Sequence, residues 1–126
     1  MANLKIFLSD REWSKYIRTR DGWKCQRCKK KYSPPTSALH CSHYFSRGNW
    51  SVRFDEDNCE ALCYGCHSHL GGNPHEHARY MVKKLGIKKL DKLMTRKNSP
   101  LSNSIKYYKS KEFRKIIKQK MEALDG

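Results

Sequence analysis

The chain has 126 residues, enough for one compact domain, and its 37% hydrophobic share allows only a modest apolar core. Lysine and arginine number 27 against 12 acidic residues, a formal charge of +15, which points to a polyanionic partner such as DNA. No stretch approaches the roughly 18 apolar residues of a membrane helix, and Met1 to Leu8 lack a secretory h-region, so the expectation is a cytoplasmic protein working on neither a membrane nor a small molecule.

In chain order, Ser9-Asp10-Arg11-Glu12 has the pattern of a capping box. A helix from about Asp10 to Arg20 follows, with Trp13, Tyr16, Ile17 and Arg20 on one stripe. Gly22 ends it, and Lys29 to Thr36, with Pro34 and Pro35 in tandem, reads as a basic loop. Between Leu39 and Asn58 the chain is aromatic and β-branched around a turn-like Arg47-Gly48-Asn49, which predicts a strand-loop-strand unit. Cys63 to Leu70 reads as a helix, and a second spans about His75 to Leu85, ended by Gly86. Ile87, Leu90, Leu93 and Met94 space a short helix closed by Asn98-Ser99-Pro100. The periodicity then predicts one basic amphipathic helix from about Ser104 to Leu124. Ile105, Tyr108, Phe113, Ile116, Ile117, Met121 and Leu124 form its apolar side, and Lys109, Lys111, Arg114 and Lys115 are candidates for DNA contact on the other.

Six cysteines are present, and four fall in Cys25-Gln26-Arg27-Cys28 and Cys63-Tyr64-Gly65-Cys66. Two intervening residues let a pair of thiols converge on one ion, and two such pairs make a closed tetrahedral site, so structural zinc is expected. A closed four-thiolate site leaves no position for a substrate, so this zinc holds the fold and does no chemistry. Cys41 and Cys59 are expected to be small buried hydrophobes.

Between the two pairs lie His40, Ser42-His43-Tyr44, Arg47 and Arg53-Phe54-Asp55-Glu56-Asp57-Asn58, and His67 directly follows the last cysteine, with Gly72-Asn73 beyond. This order, from about Trp23 to Lys89, resembles the HNH or ββα-metal nucleases and, more narrowly, phage NinG/Rap recombination endonucleases. The resemblance implies His43 as general base, Asn58 as the amide that organises the loop and His67 as a catalytic-metal ligand. Each role is chemically sensible, because phosphodiester hydrolysis needs a deprotonated water and a cation facing the charge that builds on phosphorus, and histidine titrates near neutrality. In much of the HNH group a carboxylate precedes the base, whereas Ser42 stands there in this chain. His40 is the substitute ligand, placed where the NinG/Rap pattern resembles an Asp-x-x-His. His40 and His43 would face opposite sides of a regular strand and share a site only if the strand ends or bulges between them. His69 and His77 are the alternative ligands, and His75 is expected to face solvent. A histidine-rich set suits Mn²⁺, Ni²⁺, Co²⁺ or Zn²⁺ at least as well as Mg²⁺. Arg47 and Arg53 are candidate phosphate contacts, though either could pair with Asp55 or Glu56.

The expected architecture is α+β: a small zinc-stapled ββα-metal domain with flanking helices, one unit over residues 1–126. It divides into an N-terminal helix (1–21), the zinc-stapled core (22–72) and a basic helical extension (73–126). The expected function is metal-dependent cleavage of double-stranded or branched DNA, in a bacterial host cell if phage-encoded. A homodimer would follow if both strands of a junction are cut symmetrically. The alternative is a non-catalytic, zinc-dependent nucleic-acid-binding module, for which His43 would be dispensable.

Overall fold

The computed structural model describes residues 5–125. Its elements run α1 (Leu8–Arg20), β1 (Leu39–His43), two 3-10 turns (Trp50–Val52 and Glu56–Asn58), β2 (Cys59–Cys63), α2 (Tyr64–Gly71), α3 (Pro74–Leu85), α4 (Ile87–Lys97), α5 (Ile105–Tyr108) and α6 (Lys111–Ala123). Helices around one two-stranded antiparallel sheet make a mixed α+β fold.

The α1 helix forms because Trp13, Tyr16 and Ile17 recur on one side, where all three are buried. Its start corrects the predicted cap. Phe7 is the capping residue, and the Asp10 carboxylate three positions on accepts the Phe7 amide N–H at 2.8 Å. Ser9 is instead buried, with no hydrogen-bond partner for its hydroxyl among the described residues, and Glu12 turns to Arg114 of α6 at 2.7 Å.

The two strands pair continuously from Leu39 opposite Cys63 to His43 opposite Cys59. The second strand therefore begins after Asn58, later than the sequence pattern suggests. Trp50 to Phe54 reads as extended in the sequence, but Val52 N–H bonds to the Asn49 carbonyl at 3.0 Å and Arg53 N–H to that of Trp50 at 3.3 Å, closing a helical turn. Ring packing explains the override, since Phe54 meets Phe113 at 4.9 Å between centroids and Trp50 meets Tyr108 at 6.3 Å. Such aromatic contacts outweigh a weak local preference for strand.

One apolar cluster joins Trp13, Tyr16 and Ile17 of α1 to Cys59 of β2 and to Phe113 and Ile117 of α6. A second gathers Cys25, Leu39, Ala61, Leu62, Cys66 and Leu70. Cys59 is fully buried, as predicted, while Cys41 is half-buried against the first cluster. The Glu60 carboxylate on β2 anchors α3 by accepting from the Tyr80 hydroxyl at 2.7 Å and pairing with Lys84 at 3.1 Å. Arg96 of α4 grips Asp55 at 2.7 Å and Asp57 at 3.2 Å, holding that helix over the 3-10 turns. The predicted last helix is broken in two. Ser110 leaves the helical conformation and its hydroxyl accepts the Phe113 N–H at 3.1 Å, which starts α6 afresh. Among the described residues no helix is long and apolar enough to cross a membrane.

Candidate functional site

Cys25 and Cys28 sit on the tight turn after α1, and Cys63 and Cys66 span the passage from β2 into α2. Their four sulfurs lie within 4.8 Å of one another. The Cys28 and Cys63 sulfurs stand 3.8 Å apart, matching the roughly 3.8 Å edge of a tetrahedron with Zn–S bonds of about 2.3 Å. Burial opposes the Cys25 thiolate, but the backbone amides of Cys28, Cys63 and Arg27 outweigh it and bring its pKa down to about 7. Burial pushes Cys66 the other way, up to about 12, against the pull of Arg27 and with neighbouring thiols adding to the rise. Four crowded sulfurs resist ionising together until a dication shares them, so the cluster is compatible with structural zinc.

Next to this cluster, β1 delivers His40 and His43 and the first turns of α2 deliver His67. The strand runs regularly through both histidines, without a bulge between them. Even so, His40 Nδ1 lies 3.0 Å from His67 Nδ1, with ring centroids at 5.2 Å. His43 lines two clefts in company with His67. Thus His67 meets His40 directly and shares both clefts with His43, while the regular strand sets His40 and His43 on opposite faces and His40 is a lining residue of neither cleft. Burial lowers the His67 pKa, and the nearby charges of His40 and His43 lower it further. His43 Nε2 lies 3.0 Å from the Arg53 carbonyl. A carbonyl only accepts, so Nε2 carries the proton and Nδ1 holds the free lone pair of the neutral ring. Burial works against the charged imidazolium, yet the contacts with Cys59 and the Arg53 carbonyl outweigh it and the His43 pKa is raised.

Of the remaining ligand candidates, His69 lies apart and His77 shares a cleft with His43 and His67. His69 Nε2 is held by Glu76 at 2.8 Å, in company with Arg27 beside the cysteine cluster, and His75 is exposed. His77 packs edge-on to Tyr44 at 4.8 Å and lines the second cleft, of about 320 Å³, with His43 and His67. Among the described residues no third histidine, cysteine or acidic ligand atom completes a tight group with His40 and His67.

Asn58 is 1% exposed, and its amide ties the loop after β1 in three places. Its oxygen accepts the Phe45 N–H at 2.8 Å, and its nitrogen donates to the carbonyls of Phe45 at 2.9 Å and Val52 at 3.0 Å. Arg53, predicted to grip phosphate or pair with Asp55 or Glu56, does neither. It is 1% exposed and locked to both oxygens of Asp10, at 2.9 and 2.7 Å, with further bonds to the Arg47 and Lys5 carbonyls. A guanidinium so enclosed has no free edge for phosphate. Arg47 does line the larger histidine cleft, of about 440 Å³, together with Arg11, Ser14 and Ser46. Arg11 escaped the sequence reading because it lies off the apolar stripe of α1, although its exposure on the polar side was the available signal. Lys109 sits over the Phe7 ring at 4.3 Å. Lys111, Arg114 and Lys115 line a separate groove between α1 and α6, where Arg114 is engaged by Glu12.

In comparison with known proteins, the family model described as Bacteriophage Lambda NinG protein matches residues 6–126. No curated protein and no solved structure matches the chain.

Proposed function

The chain belongs to the Bacteriophage Lambda NinG protein family, and from that premise we propose that it is a metal-dependent DNA endonuclease of the HNH, ββα-metal type, acting in phage recombination. The observation behind this reading is the 3.0 Å approach of His40 Nδ1 to His67 Nδ1, with His67 and His43 together lining a basic cleft. Two imidazole nitrogens bound to one ion at about 2.0–2.1 Å stand roughly 2.9–3.4 Å apart, so the pair fits a shared divalent cation. When bound, such a cation neutralises charge on the scissile phosphate and on the departing 3′ oxygen. Burial and the nearby charges of His40 and His43 favour the neutral form of His67, the form that ligates.

The chain's own groups do the rest. His43 Nδ1 accepts a proton from the attacking water, while the Arg53 carbonyl fixes the ring through Nε2–H. Arg53 is a positioning residue, since Asp10 holds its side chain and its carbonyl holds the base. Asn58 pins the loop that carries Arg47 to the cleft, and Arg47 and Arg11 attract the phosphate backbone. Hydrolysis in this sense leaves 5′-phosphate and 3′-hydroxyl ends. The lysine-rich groove between α1 and α6 offers a second backbone contact, as an arm of a branched substrate would need. Symmetric cutting of a junction would use two copies of the chain.

The test is to incubate the zinc-loaded protein with supercoiled, linear and branched DNA, adding Mg²⁺, Mn²⁺, Co²⁺ or Ni²⁺ in turn. Cleavage that depends on the added cation supports the proposal, and binding without cleavage under every cation overturns it.

A further inference from the structure

Cys41, His43 and Cys59 form a second compact donor group, their ligand atoms all within 4.8 Å of one another and separate from the four-cysteine cluster. Nothing in the four-cysteine staple or in the histidine pair uses these two thiols. They are brought together by the register of the sheet, which sets His43 directly opposite Cys59 and leaves Cys41 two residues along the same face. Cys59 is fully buried and receives the Trp13 indole N–H at 3.3 Å, a donor of the kind that steadies a metal-bound thiolate. Cys41 and His43 line the cleft of about 440 Å³, which gives an ion a path in and room for a water as fourth ligand.

We propose that Cys41, His43 and Cys59 are an inhibitory site for zinc or another thiophilic dication, which silences the enzyme by occupying its general base. The silencing half rests on the nuclease reading above; the metal site itself does not. On binding, both thiols release their protons to solvent, and two thiolates with one dication and a neutral imidazole make a unit of zero net charge, suited to a buried position. A neutral imidazole has one lone pair. If the ion takes Nδ1, the base nitrogen is consumed; if it takes Nε2, the ring proton moves to Nδ1, which then cannot accept another. Either geometry disables His43. Softness supplies the selectivity, because Mg²⁺ and Mn²⁺ avoid thiolate whereas Zn²⁺ and Co²⁺ accept it. Mg²⁺ or Mn²⁺ held by the histidine pair thus acts as a helper, while Zn²⁺ or excess Co²⁺ taken by the thiols acts as an inhibitor.

The experiment titrates Co²⁺ into protein already holding one zinc per chain, reading the thiolate-to-cobalt absorption while monitoring zinc release. Wild type should gain that band within two further equivalents, the histidine pair being free to take the other, without losing zinc. His67→Ala should keep it and Cys41→Ser should lose it. Loss of an inner ligand should weaken this cobalt by more than the ~10–100-fold that a second-layer partner costs. Absence of the band in wild type, or its full retention in Cys41→Ser, overturns the site. In the second arm, Mg²⁺-supported cleavage is measured with rising Zn²⁺. Wild type should be inhibited and Cys41→Ser should resist. Equal inhibition of both, or activation of wild type, overturns the inhibitory role. If wild type cuts no DNA at all, the nuclease reading fails and the inhibitory role with it, while the cobalt spectrum still decides the site.

Discussion

The Nδ1 atoms of His40 and His67, 27 residues apart in the chain, lie 3.0 Å from each other. One comes from the second residue of β1 and the other from the fourth of α2, so the contact is made where β2 runs directly into α2, beside the four-cysteine cluster. If the pair holds the proposed cation, both imidazoles are required. His40→Ala and His67→Ala should each weaken Mn²⁺ binding by about 10-fold or more, measured by calorimetry on zinc-loaded protein, with circular dichroism unchanged. Unaltered Mn²⁺ affinity in both variants would remove the pair from the metal site.

If the four-cysteine cluster holds zinc, that zinc should be indispensable to the fold. In small domains such a site supplies ~10–16 kcal/mol of apparent folding free energy, comparable to all the stability a modest core can provide. Stripping zinc with a strong chelator, or Cys28→Ser, should abolish the cooperative melting transition. Re-addition of zinc should restore it in wild type alone.

Asp10 and Arg53 are joined across 43 residues by two bonds in a site closed to solvent. Removing either partner leaves the other charge buried and unpaired, which costs about 3–5 kcal/mol. Asp10→Ala should therefore lower the denaturant midpoint strongly, and Arg53→Lys should recover little of the loss caused by Arg53→Ala, because a lysine lacks the fork that meets both carboxylate oxygens. A midpoint within error of wild type for Asp10→Ala would show the pair to be dispensable.

The histidines should titrate apart. Burial and the neighbouring His40 and His43 hold His67 below the ordinary 6.5, whereas the Cys59 and Arg53 contacts hold His43 above it despite burial. The stability consequences have opposite signs. The depressed His67 favours the fold above its unfolded pKa, and that advantage is lost as pH falls through the folded value; the raised His43 favours the fold at low pH, and its contribution is lost as pH rises through the folded value. Melting against pH would blend the two, so residue-resolved NMR titration of zinc-loaded protein without a second cation is the decisive measurement. Midpoints in the reverse order would contradict the environments described.

Exposed charge should govern DNA affinity. Lys111 and Lys115 line the α1–α6 groove without a carboxylate bond of their own among the described residues, whereas Arg114 is shared with Glu12. Replacing Lys111 and Lys115 by Ala should flatten the dependence of log affinity on log salt by up to about 2, roughly 1 for each lost phosphate contact. An unchanged slope would place the DNA elsewhere.

Much of this molecule is written locally in its sequence. The two Cys-x-x-Cys pairs announce their cluster through spacing alone, and the spans of α2, α3 and α4 follow their apolar periods to within a few residues. What the sequence hides depends on distant partners. Arg53 reads as a surface arginine until Asp10 is found beside it, and the same carboxylate draws the α1 cap from Ser9 to Phe7. Trp50 to Phe54 look extended because aromatic residues favour strands, and only the rings of α5 and α6 reveal why they turn. His40 and His67 are named by motif, but their contact is tertiary. Ser110 is a visible helix breaker inside an otherwise unbroken amphipathic pattern, and the pattern masks it.

Whether His43 removes the proton from the attacking water is read out by single-turnover cleavage. Wild type and His43→Ala should be compared at matched DNA occupancy, equal zinc content and saturating second cation. The variant should bind DNA as wild type does and cut at least about 100-fold more slowly, the lower range of a general-base contribution. Cleavage at the wild-type rate would contradict the role of His43, and binding without cleavage by either protein would leave a zinc-stapled nucleic-acid-binding module in place of an enzyme.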